Sequence, residues 1–156
     1  MNVSIQFDAH RAFSALDALS DPDMASRATK VAAQTYHDDI LDWIDAGRSF
    51  KSRTGSLEQS IGWMSQGDTS VVYANSEIAP YLEFGTGTHG PKAQPYWIRP
   101  KAGRKALRWH GEGGAEIVRR AVQHPGIEAM PYFFADQTAR EDRIREAVMA
   151  DLAGRL

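Results

Sequence analysis

The feature that most constrains the fold is a long amphipathic helix signal between Asp21 and Gly47. Asp21 is a residue type that caps a helix N-terminus, and Pro22 suits the first helical position. Gly47 is the residue type favoured directly after a helix. The segment carries one apolar stripe at three- and four-residue spacing, formed by Met24, Ala28, Val31, Ala32, Tyr36, Ile40, Trp43 and Ile44. The pattern predicts one helix with a single apolar face.

Shorter periodic segments on either side of this helix predict strands. Residues 3–7 alternate apolar and polar side chains, which predicts a half-buried strand, and residues 10–19 fit a short helix. From Leu57 the apolar period becomes two, with Leu57, Ile61 and Trp63 on one face. The turn signal SQGDTS and the strand-like VVYA follow, so this region predicts a β-hairpin.

The second half of the chain predicts further strands and a last helix. PYWIRPK and ALRWH fit strands, AEIVRRAVQH fits a strand or a helix, and IAPYLEF fits a helical turn or a strand end. Pro131 opens the last helix, where Glu141 and Arg145 form a favourable i,i+4 pair. Its stripe is Phe134, Thr138, Ile144, Ala147, Val148 and Leu152. The order predicts an α+β fold with an antiparallel sheet of about four strands, packed by the long helix and the C-terminal helix.

Composition narrows the class of protein. A chain of 156 residues favours one domain over 1–156, with an extended loop at 85–96. The net charge of −2 excludes a strong overall attraction to nucleic acid or membrane. The absence of cysteine excludes disulfides and thiolate metal sites. We expect no signal peptide and no membrane contact, since no apolar stretch approaches the ~18 residues of a membrane span.

The motifs that resemble catalytic or cofactor sites lack the context that such sites need. GTGTHG, from Gly85 to Gly90, spells a dinucleotide fingerprint, but Pro91 follows and no helix opens. The five histidines lack the close spacing of local metal motifs, and His37-Asp38-Asp39 fits a polar helix face. We therefore predict no enzyme, no metal and no cofactor.

A basic segment stands out in this nearly neutral chain. No acidic residue occurs between Glu83 and Glu112, whereas six basic residues do: Lys92, Arg99, Lys101, Arg104, Lys105 and Arg108. Tyr96, Trp97 and Trp109 are interleaved with them. Two interpretations stay open at this point. The segment is an ordinary solvated face, or it contacts the phosphates of DNA or an acidic partner.

Four motifs in a fixed order resemble a known family. RTGSLEQSI is followed by VVYANSEIAPYLEFGT, then WIRPKAGRKALRW, then HPGIEAMPYFFAD before the final helix. This order resembles the tail-completion or head–tail joining proteins of long-tailed bacteriophages, the minor tail protein Z-like neck family, over about residues 24–152. The matching positions are Thr54, Gly55, Leu57, Ser60, Ile61, Tyr73, Ala74, Glu83, Phe84, Gly85, Thr86, Pro100, Lys101, Leu107, His124, Pro125, Gly126, Pro131 and Phe133. Against that pattern, residues 110–123 form an insert.

The resemblance implies a structural virion protein of the phage neck. It implies a ring-forming subunit, a hexamer by expectation, that connects the tail tube or its terminator to the head connector. The expected location is the virion, with the host cytoplasm during assembly. A tail terminator that caps the tail tube is the alternative role, and a stand-alone nucleic-acid-binding module is a more remote one.

Two sets of site residues follow as hypotheses. The partner or oligomer interface comprises Tyr81, Phe84, Gly85, Thr86, Gly87, Thr88, His89, Tyr132 and Phe133. The basic residues from Lys92 to Arg108 line a DNA channel or contact an acidic partner. The glycines in the first set suit close approach of backbone to a neighbour.

Overall fold

The computed structural model describes residues 2–8 and 22–153 and shows an α+β protein, as predicted. It contains two compact units. Unit 1 comprises Met1–Glu83 and Met130–Leu156, and unit 2 comprises Phe84–Ala129. The short helix predicted at 10–19 and the capping role of Asp21 lie outside the described residues. That 1–156 forms a single domain stays a prediction.

The long helix α1 spans Pro22–Asp45 and has the predicted C-terminal end. Gly47 adopts a φ of 67° and donates its N–H to the Ile44 carbonyl at 2.9 Å, and Arg48 donates to the Trp43 carbonyl at 3.2 Å. These two bonds form a Schellman motif, which satisfies carbonyls that the helix leaves unpaired. The stripe members buried in the core are Ala28, Ala32, Tyr36, Ile40 and Ile44.

A three-stranded antiparallel sheet packs in unit 1. Strands β1 (Val3–Asp8) and β2 (Ile61–Gln66) flank the central β3 (Thr69–Ala74). The strand at residues 3–7 and the hairpin are thus where the sequence predicts them. Leu57 is buried but precedes β2, because residues 58–60 form a 3₁₀ turn and the strand begins only at Ile61.

Helices α2 (Ala79–Phe84) and α3 (Gln137–Ala153) are the other α-helices of residues 22–153. Val148 and Leu152 of α3 are buried against the first half of α1. The predicted start of the last helix at Pro131 is wrong, because the backbone that follows Pro131 is non-helical and hydrogen-bonded to side chains elsewhere in unit 1.

The side-chain pairing on α3 also differs from the sequence prediction. Arg145 bonds to Asp142 at 2.8 Å rather than to Glu141. Both arrangements are exposed helical pairs of small energetic weight, so the difference changes little in the fold.

Unit 2 consists of two small antiparallel ladders instead of a fourth strand on the sheet. Strand β4 (Tyr96–Ile98) pairs with β7 (Val122–His124), and β5 (Leu107–His110) pairs with β6 (Glu116–Arg119). Residues 115–124, which fit a strand or a helix by sequence, therefore form strands. Pro95 and Pro100 bracket β4, which explains its short length because proline cannot donate to a ladder.

No helix among the described residues is long and apolar enough to cross a membrane.

Candidate functional site: an exposed basic unit and its buried support

The glycine-rich loop of unit 2 is held by backbone hydrogen bonds to the HPG turn. Thr86 donates its N–H to the Ile127 carbonyl at 2.9 Å, and Ile127 donates back to the Thr86 hydroxyl at 3.0 Å. Thr88 donates both its N–H, at 2.6 Å, and its hydroxyl, at 2.8 Å, to the Pro125 carbonyl. The loop and the turn therefore form one hydrogen-bonded crossing.

Two glycines allow this crossing. A Cβ at Gly87 would lie 2.0 Å from the Pro125 carbonyl oxygen, and one at Gly126 would lie 1.8 Å from the Thr86 oxygen. Both residues also have positive φ, 64° and 106°. Residues 87–89 form one 3₁₀ turn and no helix follows, so the GxGxxG spelling builds no helix N-terminus for a phosphate.

Glu83 organises the segment that follows Pro131. Its carboxylate accepts N–H bonds from Tyr132 and Phe133 on one oxygen, both at 2.9 Å, and from Phe134 on the other at 3.0 Å. Glu83 is buried, so these bonds replace the water that its charge would otherwise require. The Glu of the EFGT motif is thus a structural carboxylate.

Arg140 satisfies the carbonyls of the same segment. Its guanidinium donates to the Phe133 oxygen at 2.6 Å and to the Tyr132 oxygen at 2.9 Å, and the Tyr36 hydroxyl also donates to Phe133 at 2.6 Å. The pKa of Tyr36 is raised by burial, and the nearby Arg140 charge lowers it in part. Glu83 therefore binds N–H groups and Arg140 binds carbonyl groups of one irregular segment, residues 132–134, an arrangement called here the Glu83–Arg140 clamp.

Sequence reasoning missed Arg140 although the sequence contains a signal for it. Arg140 is fully buried at 0% exposure, and it stands four residues before Ile144 and eight before Val148 on the apolar stripe of α3. A lone charge on an apolar stripe indicates a buried polar partner, since unpaired charges are not buried.

Two members of the predicted partner interface are in the core. Tyr132 and Phe133 are 0% exposed and pack against Tyr36 and Phe50, so the prediction that they face a partner is wrong. Their backbone is fixed by the Glu83–Arg140 clamp, which turns both rings inward. The hydroxyl of Tyr132 has no hydrogen-bond partner among the described residues, and burial raises its pKa.

The other predicted interface residues differ in accessibility. Tyr81, Phe84, Thr88 and His89 are exposed, Thr86 and Gly87 are half-buried, and Gly85 is buried. Accessible side chains on both sides of the glycines keep an interface role open for them, and that role stays a prediction.

Unit 2 has almost no buried residues. Gly85 is the one buried residue in 84–129, all of which the structure describes. The large apolar side chains that remain exposed in the strands are Tyr96, Trp97, Ile98, Trp109 and Val118, with Trp97 at 58%. Two-stranded ladders of this size are marginally stable alone, and the exposed aromatic groups make unit 2 the candidate interaction surface.

The predicted basic residues all lie on the surface of this unit. Lys92, Arg99, Lys101, Arg104 and Lys105 are exposed, and Arg108 is exposed with an ion pair to Glu116 at 3.1 Å. Residues 84–129 contain eight Lys or Arg and three Asp or Glu, a net charge of +5. The rest of the chain contains ten and seventeen, a net charge of −7. The near-neutral net charge of the whole chain is therefore the sum of a positive unit 2 and a negative remainder.

The polar groups considered for catalysis have ordinary structural partners. His37 bonds Asp38 at 2.8 Å on α1, and Asp39 accepts from Arg143 at 2.8 Å. His124 accepts the Gly126 N–H at 3.0 Å through Nδ1, within the HPG turn. Across residues 2–8 and 22–153, no group of three His, Asp or Glu side chains is placed to hold a metal ion.

Comparison with known families gives a match to phage tail proteins. Residues 9–85, just under half of the chain, match the family described as "Bacteriophage HK97-gp10, putative tail-component". This similarity to the HK97-gp10-like family confirms the predicted resemblance to phage head–tail joining and tail-completion proteins. No curated protein and no solved structure gives a significant match. The matched range ends at Gly85, so nearly all of unit 2 lies outside it.

Proposed function

We propose that this chain is a ring-forming subunit of the phage neck, a tail-completion or head–tail joining protein that connects the tail tube to the head connector. The family that residues 9–85 match is described as a tail component, which supports a structural role in the virion. The same similarity supports a protein without catalytic activity of its own. The chain then acts by binding other virion proteins and copies of itself.

The observation that carries this proposal is the exposed apolar surface of unit 2. A unit of 46 residues with one buried residue, a glycine, gains its missing apolar contacts when a partner covers it. Aromatic residues interspersed with arginine are the composition favoured at the centres of protein interfaces. A subunit that joins two larger assemblies needs such a surface.

The experiment is deletion of the gene from a phage that encodes this chain, followed by electron microscopy of the particles. A joining subunit predicts full heads and tails of normal length that stay separate, rescued when the chain is supplied from a plasmid. Normal infectious particles in the deletion strain would overturn the proposal, as would absence of the chain from purified virions.

The alternative role, a tail terminator, gives a different phenotype in the same experiment. A tube that lacks its cap continues to add subunits, so the terminator role predicts tails of excessive and variable length. Tail length measured on micrographs therefore separates the two roles.

The net charge of +5 on unit 2 favours a second candidate, contact with the phosphates of DNA that crosses the neck. Binding of a short duplex to the purified chain, measured by fluorescence anisotropy between about 50 and 200 mM salt, tests it. An affinity that falls steeply with salt supports the contact, whereas no binding at the lowest salt excludes it.

A further inference from the structure

We infer that the exposed surface of unit 2 is covered by unit 1 of a second copy of this chain, in a head-to-tail contact. The inference rests on the proposed ring-forming role and names the surfaces that build the ring. It commits to one occupant, because charge and apolar exposure together favour a protein that carries acidic groups.

The apolar part of the surface comes from both ladders. Trp109 is paired opposite Ile117 across β5 and β6, and Trp97 of β4 is paired opposite Gln123. Trp97 and Trp109 remain 58% and 38% exposed, so the described residues leave much of both indole rings in water. Burying them against a protein surface is favourable, whereas a phosphate backbone offers no apolar area in return.

The charged part of the surface has its complement elsewhere in the same sequence. Unit 2 carries +5 and unit 1 carries −7. On α1, Asp38, Asp42 and Asp45 are exposed and recur at spacings of four and three, so they share one helix face. Each copy therefore offers a basic apolar surface and an acidic one.

Two unlike surfaces on one chain produce a specific kind of assembly. A contact between different patches of identical copies is heterologous, and repetition of it closes into a ring or continues as a filament. A contact of unit 2 with another unit 2 would bring two surfaces of charge +5 together, which repulsion disfavours. Charge therefore selects the head-to-tail arrangement.

The test is a pair of charge reversals that fail alone and assemble when mixed. Variant X is Lys101→Glu, Arg104→Glu and Lys105→Glu in unit 2, and variant Y is Asp38→Lys, Asp42→Lys and Asp45→Lys on α1. All six residues are exposed, so both variants are expected to fold, which circular dichroism and thermal unfolding check. Assembly is measured by sedimentation velocity of the full chain at low salt.

We expect the wild-type chain to associate, and X or Y alone to associate at least about tenfold more weakly. In an equimolar mixture, the acidic unit 2 of X meets the basic α1 of Y, and the basic unit 2 of Y meets the acidic α1 of X. The mixture should therefore recover oligomers that contain both chains. The matched control, Lys30→Glu with Lys51→Glu on unit 1, should associate like the wild-type chain.

The apolar contact has its own matched pair of variants. Trp97 in unit 2 and Met64 in unit 1 are both 58% exposed. Trp97→Ser should weaken association by about tenfold without lowering the unfolding temperature of the monomeric chain at high dilution, because more than half of Trp97 is exposed in the single chain. Met64→Ser should leave association unchanged.

Three results would overturn the inference. They are a wild-type chain that stays monomeric at low salt and the highest attainable concentration, variants X and Y that each assemble normally, and a mixture that fails to assemble. If X lost only duplex binding and assembled normally, the surface would belong to DNA. None of these outcomes overturns the proposed neck role, which is tested separately by the gene deletion. The neck role holds if the chain is found in virions and its deletion leaves heads and tails separate, even where the head-to-tail contact fails.

Discussion

At the scale of single residues, the buried carboxylate of Glu83 shows how much one side chain organises. Three backbone N–H groups donate to it. In Glu83→Gln, an amide NH₂ replaces one acceptor oxygen and faces an N–H donor. We expect a loss of about 2–3 kcal/mol of unfolding free energy, measured by urea denaturation. The exposed Glu77→Gln is the control, and equal effects of the two changes would contradict the clamp.

Two buried tyrosines give opposite expectations for the same change. The Tyr36 hydroxyl donates to the Phe133 carbonyl at 2.6 Å, whereas the Tyr132 hydroxyl has no partner among the described residues. Tyr36→Phe should cost about 1 kcal/mol, and Tyr132→Phe should be neutral or slightly stabilising. Thermal unfolding of both variants against the wild-type chain checks the contrast, and a larger loss for Tyr132→Phe would refute it.

At the scale of elements, the crossing of the glycine-rich loop and the HPG turn depends on the absence of side chains. Gly87→Ala places a methyl group 2.0 Å from the Pro125 carbonyl oxygen, so the two segments must separate. We expect amide hydrogen exchange at Thr86, Thr88 and Ile127 to accelerate by about tenfold or more. Gly113→Ala shares a positive φ, 88°, but a Cβ there meets nothing within 4 Å, so those amides should keep their protection.

The elements also show which parts of the fold are readable from sequence. Helix α1 and the hairpin were predictable because their signals are local: a cap, a stripe, a turn. The start of α3 was not, since the backbone N–H groups of residues 132–134 bond to Glu83, about 50 residues earlier in the chain, and these residues form no helix. For the same reason the sequence predicted Tyr132 and Phe133 at the surface. The exposure of the basic residues was predictable because Lys and Arg are rarely buried. The near absence of buried residues in unit 2 was not predictable, because its apolar residues are of types that usually form a core.

At the scale of the whole molecule, buried tyrosines link stability to alkaline pH. The pKa values of Tyr36 and Tyr132 are raised in the folded state, mainly by burial. Their protonated forms are thus favoured by folding, so their contribution is fully present below the unfolded pKa of about 10 and is lost as pH rises above it.

We therefore expect the unfolding free energy to fall above pH 10, with each such tyrosine contributing up to about 1.4 kcal/mol per pH unit. Urea denaturation at several pH values between 8 and 11 measures it. Tyr132→Phe should make the fall shallower, and the exposed Tyr81→Phe should leave it as in the wild-type chain. An identical pH profile for Tyr132→Phe would contradict the assignment.

The hydrogen bond from the Met130 N–H to the Leu82 carbonyl, 2.7 Å long, closes unit 1 at the point where residues 84–129 leave and return. We therefore expect that a short peptide bridge between these neighbouring backbone positions can replace residues 84–129 without unfolding unit 1. The length and charge of residues 84–129 can then change independently of the hydrophobic core of unit 1.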